Sequence, residues 1–156
     1  MELSRNLIVE SVSRLGPTPP RQVEVDRAVA DAVAAMRQYR VGCLLVTQGG
    51  KLVGIFTERD LLTRVLAASL PLTTPLRACM TPDPIAVGPK DPVRVAIERM
   101  QTGSYRHLPV VDGSNRPIGI LSAKRVVRYI VEHFPATVYC LPPDPHNNFP
   151  ASAEGA

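Results

Sequence analysis

The sequence predicts an α+β protein built from two copies of one β-α-β-β-α unit, paired about a pseudo-twofold axis. A short N-terminal helix precedes the copies and a Pro-rich tail follows them. Three observations carry this prediction. First, residues 23–60 are written again as residues 87–125. At a shift of 64, Val23 falls on Val87, Val29 on Val93, Ala32 on Ala96, Val33 on Ile97 and Met36 on Met100. After one inserted residue in the turn after Asp112, a shift of 65 puts Gly54 on Gly119, Ile55 on Ile120 and Thr57 on Ser122. Second, each copy alternates helical apolar spacing with short continuous apolar runs, the pattern of helices between strands. Third, 156 residues at 45% hydrophobic suffice for one compact core. Two copies of so small a unit bury apolar faces against each other, which places any site between them.

The elements follow in order. Residues 1–19 form a leading helix and linker: Leu3, Leu7, Ile8 and Leu15 recur at helical spacing, and Gly16-Pro17 ends the run. Residues 20–69 are the first copy. Val23 and Val25 begin a strand, and Asp26 is placed to cap a helix with Val29, Ala32, Val33 and Met36 on its buried face. Residues 41–46 and 52–56 are strands around a Gly49-Gly50 turn, and Thr57 opens a helix reaching about Ala68. Residues 70–83 connect the copies, with room for a single helical turn. Residues 84–133 repeat the order: a strand over 84–87, a helix capped by Asp91 with Pro92 at its first position, a hairpin around Asp112-Gly113, and a helix from Ser122 to His133. Residues 134–156 carry Pro135, Pro142, Pro143, Pro145 and Pro150, a density that favours an extended or disordered strap.

Composition narrows the function. No apolar run approaches the roughly 20 residues of a membrane helix, and the first residues lack a secretory signal pattern. Cys43, Cys79 and Cys140 are odd in number and widely spaced, which argues against disulfides or zinc and for a reducing cytoplasm. The net charge of +4 suits a small phosphorylated ligand better than nucleic acid, since the basic residues form no stripe and no Trp is present for base stacking. No nucleophile–base set is evident, so an enzyme is the least supported class.

With both units placed, three motifs stand in order: Gly54-Ile55-Phe56-Thr57-Glu58-Arg59-Asp60, Met80-Thr81-Pro82-Asp83-Pro84-Ile85-Ala86-Val87, and Tyr105-Arg106-His107-Leu108-Pro109-Val110-Val111-Asp112. The chain resembles a tandem pair of cystathionine-beta-synthase (CBS) domains, a Bateman module, and its ends resemble those of stand-alone bacterial CBS proteins. The resemblance implies a non-enzymatic regulatory module that binds AMP, ADP or ATP in a cleft between the copies and signals to a protein partner. It also implies a homodimer formed through the CBS helices. Asp60 would contact the ribose and Thr57 the ribose or phosphate, with Ile55 and Phe56 of the same motif assigned to the ligand site. From the second copy Ile85 would form part of the adenine wall, and Arg106 with His107 would hold the phosphates.

The chemistry agrees with that assignment. An ionised Asp can accept both hydroxyls of a vicinal diol, and the planar guanidinium of Arg matches phosphate oxygens. A second, degenerate cleft would use Val23, Gly42, Cys43, Ser122 and Lys124. There Arg125 replaces the acceptor Asp and Gly42-Cys43 replaces the cationic pair. The competing readings are an interaction dimer with lost ligand sites, an S-adenosylmethionine site and, weakest, nucleic-acid binding. Locally, Thr57 to Asp60 also reads as a plain capping box, Arg106 as a surface partner of Asp112, and Cys43 as an inert core thiol.

Overall fold

The structure, a computed structural model, describes residues 10–134. The fold is α+β, two halves of mixed sheet and helix. In the first half, strands β1 (Gln22–Glu24), β2 (Cys43–Gln48), β3 (Lys51–Thr57) and β4 (Thr81–Pro82) form one sheet in that order. β1 runs parallel to β2 and the other pairs are antiparallel. Helix α1 (Val29–Tyr39) follows β1. Helix α2 starts as Glu58–Asp60 and continues as a wider π turn over Leu61–Leu66. In the second half β5 (His107–Val111) and β6 (Pro117–Ser122) form the hairpin, flanked by α3 (Val93–Gly103) and α4 (Ala123–His133). None of the described helices is long and apolar enough to cross a membrane.

The repeat in sequence becomes a repeat in space, with an exchange. Val23 pairs with Val46, and 64 residues on, Val87 pairs with Val110. Ile55 pairs with Thr81, but its twin Ile120 pairs with Thr18, from the start of the chain. The same crossing governs the short turns. Leu76 N donates to Arg27 O and Val29 N to Thr74 O, both at 2.9 Å; their twins are Val12 N to Asp91 O at 2.9 Å and Val93 N to Glu10 O at 2.8 Å. Each half is thus closed by the segment that precedes the other in sequence. Val12 and Leu15 lie in the core of the second half beside Val93, Leu108 and Leu121. Leu76 and Cys79 lie in the core of the first beside Val29, Leu44 and Phe56. A third apolar cluster joins the halves through Leu45, Leu52 and Ile120.

Several sequence expectations shift. Within the described residues the leading helix is a single 3-10 turn, Val12–Leu15, ended by Gly16 in the left-handed conformation; Leu3, Leu7 and Ile8 lie outside the described residues, as does the tail from Pro135. Asp26 does not cap α1, whose N-cap is Ala28; its carboxylate pairs with Arg77 instead. Asp91 does not cap α3 either, for the cap is Pro92, and Asp91 accepts from Gly88 N at 2.9 Å. The exchanged segments explain both. Carbonyls of Thr74, Leu72 and Glu10 accept the first N–H groups of these helices, so no side-chain cap is required. The strand expected over residues 84–87 reduces to the bridge at Val87, while Thr81–Pro82 supplies the paired strand. The Gly49-Gly50 turn stands as read, with φ of 58° and 79° that only Gly adopts freely.

Candidate functional site

The last residue of β3, Thr57, is the N-cap of α2. Its hydroxyl accepts from Asp60 N at 3.2 Å while Asp60 Oδ2 accepts from Thr57 N at 2.9 Å, so the capping box forms. Asp60 does more than cap. Its Oδ2 also accepts from Thr57 Oγ1 at 2.9 Å, and its Oδ1 accepts from Thr81 Oγ1 at 3.0 Å and pairs with Arg64 Nε at 3.3 Å. Asp60 is 6% exposed and is the one buried Asp, Glu, Lys, Arg or His among the described residues. Four donors on its two oxygens account for that burial, since a carboxylate offers about four acceptor sites.

The opposite wall comes from the entry to β5. There Tyr105, Arg106 and His107 follow the left-handed Ser104 that ends α3. The Tyr105 ring lies against Gly103, where an added Cβ would come within 1.9 Å of Cε2, so only glycine leaves the ring room. Arg106 is exposed, and its carbonyl accepts from Ala123 N at 2.9 Å, which ties β5 to the start of α4. His107 is exposed toward the cavity, yet partial loss of hydration against its walls, and then the charge of Arg106, lower its pKa below the ordinary value. The imidazole is therefore uncharged at neutral pH.

These walls enclose a cavity of about 550 Å³, within the range of small-molecule sites. Ile55, Thr57, Asp60, Arg106 and His107 all line it, as do Gly42, Ser122 and Lys124. The two sequence-level groups thus meet in one continuous space rather than in two separate clefts. Four named residues are not in the lining. Phe56 is fully buried in the first core, because side chains alternate along β3 and its own points inward. Val23 packs against that same core. Cys43 is 3% exposed, and burial, with the nearby Asp60 charge, pushes its thiol up to about 12, an inert core group. Ile85 is 40% exposed and lies outside the lining.

Thr81, Glu58, Arg59, Ser104 and Tyr105 line the cavity without having been singled out. Glu58, Arg59, Thr81 and Tyr105 lie inside the quoted motifs, and Ser104 directly precedes one. Arg106 does not pair with Asp112, which accepts from Ser114 N and Arg116 N at 2.9 Å each.

The twin of Asp60 behaves differently. Ser122 still caps α4 by accepting from Arg125 N at 3.2 Å. But Arg125 has no carboxylate to return, and its guanidinium reaches toward Gly16, to 3.5 Å from where a Cβ there would sit. A donor-only group at that point cannot hold a diol.

A family model described as CBS domain matches residues 12–67 and 76–132. The chain is 39% identical over 104 residues to the meiotically up-regulated gene 70 protein of Schizosaccharomyces pombe, covering 66% of this chain and 14% of that one. It likewise spans only 25% of the length of two Arabidopsis thaliana CBS domain-containing proteins that it matches. Among solved structures, the CBS domain protein PAE2072 from Pyrobaculum aerophilum, complexed with AMP, aligns with a TM-score of 0.68 at 29% identity, covering 74% of this chain and 89% of that one. CBSX2 in complex with AMP aligns at 0.66 and 26% identity, covering 78% and 96%.

Proposed function

The chain belongs to the CBS domain family, and from that premise we propose that it binds one adenine nucleotide in the cavity between its halves and acts as a non-enzymatic regulatory module. The observation that carries this reading is the state of Asp60. Two of its four donors are hydroxyls, Thr57 Oγ1 on one oxygen and Thr81 Oγ1 on the other. Hydroxyl hydrogens rotate freely, so both can turn away and yield their places to the 2′ and 3′ hydroxyls of a ribose. Thr57 N and Arg64 Nε stay, keeping the carboxylate oriented. The ligand exchanges hydroxyl for hydroxyl and leaves no buried acceptor unpaired.

From Asp60 the nucleotide extends to Arg106 and His107, whose donors meet its phosphate. Relatives solved with AMP support adenine as the base. One site per chain is favoured because Arg125 stands where a second ribose acceptor would be. Nucleotide binding across the two halves favours one arrangement of them, and a protein partner reads that shift. Leu62, Leu66 and Val127, exposed on α2 and α4, supply the apolar faces for a homodimer.

Calorimetric titration of the whole chain with AMP tests the reading. The expected result is one nucleotide per chain, at least tenfold weaker in Arg106→Ala, a substitution at an exposed side chain that leaves the fold in place. Binding weaker than about 1 mM in the wild type, with the fold intact, contradicts it.

A further inference from the structure

At the shifts of 64 and 65 given above, Gly42 is the twin of Arg106 and Glu58 the twin of Ala123. The two pairs share one backbone arrangement: Glu58 N donates to Gly42 O at 3.1 Å, as Ala123 N donates to Arg106 O at 2.9 Å. Their side chains are opposite. Beside Arg106 stands the small Ala123; beside the small Gly42 stands Glu58. The Glu58 carboxylate lies over Gly42, with Oε2 only 3.1 Å from where a Cβ at position 42 would sit, so the glycine is what makes room for it. All four residues line the cavity. At this pair of hydrogen-bonded neighbouring positions the first half therefore carries one negative charge and the second half one positive charge.

Asp60 and Arg125 also invert, as do Asp26 with Lys90 and Arg27 with Asp91, but none of these pairs puts an uncommitted acid in the cavity lining. Arg59 and Lys124 are cationic on both sides and line the cavity alike. Asp60 is committed to four donors. Glu58 is exposed and makes no ion pair among the described residues, so its charge acts on whatever enters.

Building on the nucleotide reading above, we propose that Glu58 is a specificity-determining residue that restricts the ligand to one phosphate. A nucleotide held at Asp60 must cross the axis to reach Arg106. A space of this volume is about 10 Å across, comparable with the Debye length of about 8 Å at physiological salt, so a phosphate near its middle lies within the field of Glu58. The first phosphate is matched by the second half's guanidinium. Each further phosphate adds negative charge in the field of Glu58, which opposes the pull of the neighbouring Arg59 and of Lys124, and no guanidinium stands at position 42 to meet it. Arg106 attracts the monophosphate, and Glu58 rejects the di- and triphosphate by repulsion, a discrimination built from one attractive and one repulsive element.

The test titrates the whole chain with AMP and with ATP, without divalent cations, for the wild type and for Glu58→Gln, which keeps the shape and removes the charge. The wild type is expected to bind AMP more tightly than ATP, and the substitution to narrow that ratio at least tenfold. Wild-type AMP binding with a ratio that Glu58→Gln moves less than twofold, or a wild type that prefers ATP, overturns the role of Glu58 while leaving the site itself in place. Absence of AMP binding in the wild type overturns the nucleotide reading and the inference with it.

Discussion

The first half of the chain presents Asp60 where the second presents Arg125, and Glu58 beside Gly42 where the second has Arg106 beside Ala123. Their backbones nevertheless make the same hydrogen bonds at twin positions, down to the reciprocal closure of each half by the other's leading segment. The comparison separates what duplication holds fixed from what it releases. The strand pairing, the apolar helix faces and the hydroxyl caps Thr57 and Ser122 are kept, because the fold depends on them in both halves. Charges around the cavity are free to diverge: Glu58 and Asp60 of the first half face Arg106 and Arg125 of the second, while Arg59 and Lys124 stay cationic in both. A symmetric frame thus surrounds an asymmetric polar cavity, with the Asp60 carboxylate in one wall and the Arg106 guanidinium in the other.

The largest effect should come from breaking the exchange. Leu76→Ala removes a fully buried side chain from the first core and is expected to cost about 3 kcal/mol in denaturant unfolding. Val12→Ala, the same test on the second half, should cost about 2 kcal/mol. A wild-type midpoint for Val12→Ala would mean that the leading segment does not complete the second core.

Next, Asp60 and Arg125 should respond unequally. Asp60→Ala removes the capping box and leaves Thr81 and Arg64 without their acceptor. It should lower AMP affinity by about 100-fold and stability by about 2 kcal/mol. Arg125→Ala should change stability by about 0.5 kcal/mol or less. Equal losses of affinity from both substitutions would erase the asymmetry.

A smaller effect belongs to Gly103→Ala. Its new methyl group would strike the Tyr105 ring, for a cost of about 1 kcal/mol in thermal unfolding and a displaced cavity wall. The twin position holds Tyr39, so the first half already carries a side chain there.

The smallest effect is on pH dependence. The folded pKa of His107 lies below the ordinary value of about 6.5, so between the two values the unfolded chain binds more protons. Stability from this group is present above about pH 6.5 and is lost as pH falls through the folded value. Bound phosphate favours the imidazolium, so AMP binding should take up a fraction of a proton. It should also tighten by less than tenfold per pH unit as pH falls toward about 6. Calorimetry in two buffers of different ionisation heat reads that uptake, and His107→Gln should remove the imidazole's share, leaving only that of the phosphate itself, whose second pKa is about 6.

Local signals were read correctly where the physics is local. The Gly49-Gly50 turn, the Thr57 cap and the apolar faces of α1 and α3 follow from spacing and residue type alone. Asp26 and Asp91 misled because the true partners of the α1 and α3 N-termini are backbone carbonyls of residues 74 and 10, far away in sequence. The same non-locality hid Thr81. Its hydroxyl matters only because the connector returns to lie beside Asp60. Phe56 shares a motif with cavity residues and Cys43 stands next to Gly42, but strand alternation and double-sided burial turn them inward. Gly42 and Ser122 were assigned to a separate cleft because nothing in the sequence reveals that the two clefts merge.

The most direct test of the account is a crystal structure of the protein grown with excess AMP. The account predicts a single nucleotide per chain, its two ribose hydroxyls on the Asp60 oxygens now occupied by Thr57 and Thr81, and its phosphate against Arg106. A ribose bonded instead beside Arg125, or a cavity still closed by the two threonine hydroxyls at saturating AMP, would contradict it.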